Sequence, residues 1–229
     1  MSYIINFTEE SAFPLAKENF VRMCGFKSGS EKHENMYAAA AEIRENGVSA
    51  INIRALVSEF GADIICEKGL LAGGVELHCD AVFLIEKEKV RNVLFYVITV
   101  EECSCESEQI LDRIYADFWG TAYVDAAFAL LRAKLASRFS GGLVLSEAFG
   151  PGYYGMPSEE IKTIFQILDG GEIGVKCLPS NVMLPIKSCA GLLFVMEKDA
   201  KTPGKQCRDC LGTRSGCRYC GIWQNIEKK

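Results

Sequence analysis

From Ser107 to Ser137 the chain runs without a proline, and apolar residues recur at near-helical spacing: Ile110, Ile114, Phe118, Ala122, Ala126 and Leu130. Ser107 is a natural N-cap for so long a helix. Directly upstream, Asn92–Val100 is rich in Val, Ile, Phe and Tyr and reads as a buried strand. The two together demand a body that contains both sheet and helix.

The rest of the chain fills in that body. A helix is expected over Phe13–Cys24, with Phe13, Phe20 and Val21 on one face and Gly25 as its stop. A second is expected over Glu31–Asn46, capped by Ser30, with a run of bulk-free alanines at 38–41 suited to close packing. The period then changes. In Ser49–Val57, Ile51, Ile53 and Ala55 alternate with Asn52, Arg54 and Leu56, which is strand spacing. Short strands are expected at Asp63–Cys66 and Val75–Leu77, separated by Gly69 and the Gly73-Gly74 pair. Further strands are expected at Gly142–Leu145, Ile173–Cys177 and Cys189–Met196, and a helix from Ser158 to Leu168 that Asp169-Gly170-Gly171 ends. Helices do not alternate one for one with strands. The expectation is therefore α+β with a mostly antiparallel sheet and long helices.

Several functions are excluded or disfavoured. The net charge of −5 is unevenly spread: residues 201–229 hold seven basic and two acidic residues, and the preceding body is strongly acidic. An acidic body argues against nucleic-acid binding. No apolar run approaches the ~18 residues needed to cross a membrane. The opening MSYIINFTEESAF has no basic, signal-like region, so a cytoplasmic protein without membrane contact is expected. With only two histidines, His33 and His78, neither in a suggestive context, triad chemistry starts low. Gly69–Gly74 is glycine-rich, but no helix pattern follows it as a phosphate loop requires.

Eleven cysteines fall into two groups. Seven are scattered, mostly in apolar contexts that suit small buried residues. The other four form Cys207-x2-Cys210-x6-Cys217-x2-Cys220. Each pair can place two thiolates on one metal, and the four complete a tetrahedral shell. Zinc and an iron–sulfur cluster both accept four thiolates, and the short central gap does not separate them. The polar, Pro-Gly-containing stretch 198–206 reads as a linker. The organisation expected is thus a body over 1–197, a linker over 198–206, and a four-cysteine metal knuckle over 207–229.

At Gly150-Pro151-Gly152-Tyr153-Tyr154-Gly155, Pro151 presets φ for a turn and Gly152 is free to take φ > 0. Tyrosines are thereby held at a corner ahead of a helix, where a flat ligand could rest on backbone and ring. This turn, the helix to Leu168, and IGVKCLPSNVMLPIKSCAGLLFV at 173–195 resemble the reductive-activation domain of cobalamin-dependent methionine synthase. They resemble its short stand-alone relatives still more. The shared pattern includes Ser180-x-x-Met183-x-Pro185-x-x-Ser188-x-x-Gly191, Val97–Val100, Gly120-Thr121 and Val124-Asp125.

The resemblance implies an activation-domain-like fold. It implies reactivation of a cobalamin (corrinoid) methyltransferase or carrier protein, with S-adenosylmethionine presented for reductive methylation of cobalt and an electron from a flavodoxin- or ferredoxin-type donor. The cobalamin would be carried by the partner. Gly150, Pro151, Gly152 and Tyr153 match the family's binding turn, and Asp125 matches an acidic residue used on the ligand. Ala148 stands where the family has an arginine for the ligand carboxylate, and Lys201 falls near the place of a family tyrosine. Arg138, near in sequence, is the candidate replacement cation. The alternative is an accessory that docks on a corrinoid protein, or an iron–sulfur electron-transfer module, without S-adenosylmethionine binding.

Overall fold

The structure is a computed structural model and describes residues 1–47, 51–101, 103, 105–139, 141–153 and 155–201. The cysteine module at 207–229 and most of the expected linker lie outside the described residues. The chain opens with β1 (Ser2–Phe7), α1 (Glu9–Cys24) and α2 (Glu31–Gly47). It continues through β2 (Ile53–Gly61), the hairpin β3 (Gly69–Ala72) and β4 (Val75–His78), then β5 (Val90–Thr99) and α3 (Ile110–Arg138). The last third contains β6 (Leu143–Leu145), α4 (Glu160–Ile167), the two-residue strands β7 (Lys176–Cys177) and β8 (Met183–Leu184), and β9 (Ser188–Glu197).

Five strands form one antiparallel sheet in the order β1-β2-β5-β9-β6. The α+β, mostly antiparallel expectation is met. Both faces of the sheet are covered, because side chains alternate along each strand. Ile53, Ala55, Leu94, Ile98, Leu193 and Val195 pack under α1, α2 and α3. Leu56, Val93, Phe95, Leu192 and Phe194 meet the β3–β4 hairpin, α4 and the 3-10 turn at 80–83 on the other side.

Local chemistry explains the element ends. Thr8 caps α1 by accepting from the Ser11 N–H at 3.2 Å, one turn earlier than the expected start at Phe13. Gly25 closes α1 in the left-handed region at φ 67°. Ser107 accepts the Gln109 N–H at 3.1 Å and binds Asp112 at 2.6 Å, just ahead of α3. The helix is as long as expected, but its buried stripe is set by Tyr115, Trp119, Tyr123, Ala126 and Leu131. Ile110 and Ile114 face solvent. Trp119 is the hub of the helical layer. Its ring stacks on Phe20 at 3.9 Å, and its Nε1 donates to the Ala40 carbonyl at 2.7 Å. The small alanines of α2 permit that approach.

Other expectations shift. β1 has no counterpart among the expected strands. β2 begins at Ile53 and runs to Gly61 rather than spanning Ser49–Val57. Asp63 and Ile64 belong to a 3-10 turn, Ile65 makes only an isolated bridge to Leu70, and Ile173 ends another 3-10 turn ahead of β7. Gly69 belongs to a strand, and Gly73-Gly74, at φ 59° and 82°, is the hairpin turn joining it to β4. Contacts continue a little past β9. Ala200 packs on the core, and the Lys201 N–H donates to Glu86 at 2.9 Å.

Candidate functional site

Antiparallel pairing sends both the N–H and the C=O of a residue to the same edge and those of its neighbour to the other. On β9, Phe194 is bound from that outer edge by Ser146, and Leu192 by Phe149. The Phe149–Leu192 pair exchanges both bonds, at 3.0 and 2.8 Å. Beyond it the 146–151 segment peels away. By the same alternation Ala190 turns its main-chain N–H and C=O toward this edge, where no described strand pairs with it.

The departing segment makes a tight corner. The Tyr153 N–H donates to the Gly150 carbonyl at 3.0 Å, and the Gly152 N–H to Met156 at 2.8 Å. Gly152 takes φ 87°, a conformation that only glycine adopts without strain. Close approach also needs glycine at 191, where a Cβ would stand 2.4 Å from the Phe149 carbonyl oxygen. The Tyr96 ring, directly across from Gly191 on β5, occupies the space a side chain there would need.

Between this corner and α3 lies a concavity of about 370 Å³. Its floor is backbone of 148–151 together with Cys189 and Ala190. Its walls are Val124, Asp125 and Phe128 of α3, the Tyr96 ring and the exposed Tyr153. The Tyr96 and Phe128 rings meet at 5.4 Å. The volume is in the range that holds a small organic ligand. A larger hollow of about 640 Å³ lies between Gly141–Leu143 and Glu197–Asp199, but it has no aromatic wall to converge on a ligand. A third, of about 220 Å³, contains His33, whose Nδ1 accepts the Lys27 N–H at 3.0 Å while its ring stacks on Phe26. His33 is thus a packing residue. His78 sits 3.4 Å from Asp80 on the surface.

The electrostatics of the concavity favour a cation. Asp125 is reached by solvent, yet crowding by protein raises its carboxyl above the usual range, with Arg22 opposing the shift. Burial pushes the Cys189 thiol up to about 12, and Asp125 adds to that. The thiol therefore stays protonated and is no nucleophile at neutral pH. Tyr96 is likewise held neutral by burial. Among the described residues the lining has no basic side chain.

Of the residues expected to bind a ligand, Asp125, Gly150, Pro151 and Tyr153 converge on this concavity. Gly152 does not line it and acts through its backbone conformation. Arg138 does not line it. It pairs with Glu59 at 3.4 Å and lies over the Tyr3 ring at 4.5 Å, at the far end of α3. Cys207, Cys210, Cys217 and Cys220 fall outside the described residues. Among those described, no three metal-ligating groups cluster. No described helix is long and apolar enough to cross a membrane. Sequence reasoning missed Tyr96, Phe128, Cys189 and Ala190. Each reads locally as core, and only strand pairing brings them beside the turn.

No protein-family model matches the chain, and no curated protein matches it in sequence. In structure it is similar to the crystal structure of the MetH reactivation domain bound to AdoHcy. The TM-score is 0.55 at 14% identity, over 88% of this chain and 80% of that one, which establishes a shared fold.

Proposed function

We propose that this protein binds a ligand of the S-adenosylmethionine type in the concavity between α3 and the 148–153 corner. It presents that ligand to a corrinoid-carrying methyltransferase or carrier protein, whose cobalt it helps return to the methylated state. The observation that carries the reading is the convergence of Asp125, Gly150, Pro151 and Tyr153 on one concavity in a fold shared with a domain solved with AdoHcy.

The residues present suit such a ligand. A purine ring fits between aromatic side chains and flat backbone, and the open main-chain groups of Ala190 offer it hydrogen bonds. Asp125 is the counter-charge for a sulfonium or ammonium group. Among the described residues the lining holds no histidine and no activated nucleophile, which suits presentation rather than acid–base chemistry. Exposed apolar side chains, Tyr153 at the mouth and Ile186 beside the α3 contact of Lys187, offer a surface that a partner could cover. The four cysteines at 207–220 belong to the same proposal as a separate metal knuckle. It would hold zinc as a staple, or an iron–sulfur cluster able to relay an electron from a flavodoxin- or ferredoxin-type donor.

A second reading is favoured by one observation, the lack of a basic side chain in the described lining. In it the body keeps the fold and docks on a corrinoid protein as an accessory, without the ligand. Titration calorimetry with S-adenosylmethionine separates the two. The first reading expects saturable binding well below about 1 mM, weakened by Tyr153→Ala and Asp125→Ala. No saturable binding at millimolar ligand removes it, and capture of a corrinoid protein by the same sample then supports the second.

A further inference from the structure

Resting on the ligand reading above, we infer that Arg132 is the anchor for the ligand's carboxylate, filling from α3 a role that Ala148 cannot fill from the turn. Arg132 follows Phe128 by one helical turn and Asp125 by two, so all three share a face of α3. Its Nη1 donates to the Ser146 carbonyl at 2.6 Å, two residues before the Ala148 that lines the concavity. Ser146 itself is buried and locked to β9 by bonds with Phe194 at 2.8 and 2.9 Å. The guanidinium is therefore held between α3 and the segment that leads into the corner, outside the lining itself, and its field reaches the buried Tyr96 hydroxyl.

A guanidinium has five N–H donors, and the Ser146 carbonyl takes one. Among the described residues no carboxylate pairs with Arg132. The other nearby cations are committed. Lys187 binds Asp117 at 2.6 Å and Thr121 at 3.0 Å, and Arg22 donates to Asn19 at 2.7 Å on the α1 side of Asp125. Asp125 and Arg132 thus set a negative and a positive pole roughly 10 Å apart along the helix. An amino-acid sulfonium carries the opposite charges, with its cationic groups toward Asp125 and its carboxylate toward Arg132.

The test compares S-adenosylmethionine with decarboxylated S-adenosylmethionine by titration calorimetry on the full chain, in wild type, Arg132→Met and Arg132→Lys. Wild type is expected to prefer the carboxylated ligand about 10- to 100-fold, the loss that removal of one charged hydrogen-bond partner causes. Arg132→Met should erase that preference while leaving the decarboxylated ligand's affinity unchanged, and Arg132→Lys should restore part of it. Should Arg132→Met fail to fold, wild type and Arg132→Lys still decide through their preference ratios. Equal weakening of both ligands by Arg132→Met means that the residue only holds Ser146 in place, and overturns the inference alone. So does a wild type that binds both ligands equally. A wild type that binds neither overturns the ligand reading and this inference with it.

Discussion

Substituting Gly191 by alanine presses on the concavity from beside its floor without removing any side chain. The new Cβ would stand 2.4 Å from the Phe149 carbonyl oxygen, 2.8 Å from the Tyr96 hydroxyl and 3.1 Å from the ring carbon bearing it. Both partners are buried, and a backbone oxygen has no rotamer to escape into. To regain ordinary contact the 146–151 segment must retreat by roughly 1 Å. That carries the Phe149–Leu192 bonds, now 3.0 and 2.8 Å, out of hydrogen-bonding range. Two buried amide–carbonyl bonds opened in an apolar setting cost about 3 kcal/mol together. For a chain of this length that is a drop of roughly 6–12 °C in melting midpoint. Gly150→Ala is the matched control, since its Cβ meets the Ala190 oxygen at 3.1 Å and nothing closer. It should cost about 1 kcal/mol or less. Urea unfolding followed by circular dichroism measures both, and ligand titration reads whether the floor has moved. A Gly191→Ala protein within about 1 kcal/mol of wild type, or no worse than Gly150→Ala, would refute the reasoning.

Three further outcomes are expected. Desolvation raises the Asp125 carboxyl pKa, so its charged form burdens the folded free protein. That penalty is absent below the unfolded pKa, grows as pH rises toward the folded one and is complete above it. Asp125→Asn should therefore raise the melting midpoint at neutral pH, have no effect at strongly acid pH and weaken a cationic ligand; a midpoint lowered at neutral pH contradicts this. Trp119→Phe leaves the Ala40 carbonyl without its 2.7 Å donor and should cost about 1–3 kcal/mol, with faster amide exchange across α2. Unchanged exchange over residues 31–47 would show that the bond does not latch that helix. Elemental analysis of anaerobically prepared protein should find about one zinc per chain, or iron with a brown colour that bleaches on reduction. Chelation should leave the unfolding of the body unaltered, and four freely titratable thiols with neither metal would remove the knuckle.

The legible parts of this fold were those written locally. Pro151-Gly152 announced a corner, Gly25 ended its helix, and the β-branched run before residue 100 became a central strand. The length of α3 was legible too, but its phase was not. Ile110 and Ile114 stood out as the obvious apolar residues, whereas burial follows Tyr115, Trp119 and Tyr123 with alanines between them. An amphipathic aromatic and a small alanine carry little weight in an apolar count, yet together they make the closest helix contacts. β1 escaped notice because its partner lies some fifty residues away, from Ser2 with Ser58 to Phe7 with Ile53. Gly69 read as a break because nothing local reveals that Leu77 passes so close that a side chain there would clash. The same limit hid half of the site. Tyr96 and Cys189 lie on separate strands, and Arg132 gains its place only through a carbonyl of the segment it grips.

The concavity rests largely on main chain, and that has a consequence for descent. A surface of amide groups is indifferent to the identity of the side chains that point away from it. It asks only that a few positions stay small, as Ala148, Gly150, Ala190 and Gly191 do. Substitutions can accumulate on the helices and across both cores, one compensated exchange at a time, while the cradle keeps its outline. Methods that compare letters lose such a lineage early. Its shape is what persists to be inherited.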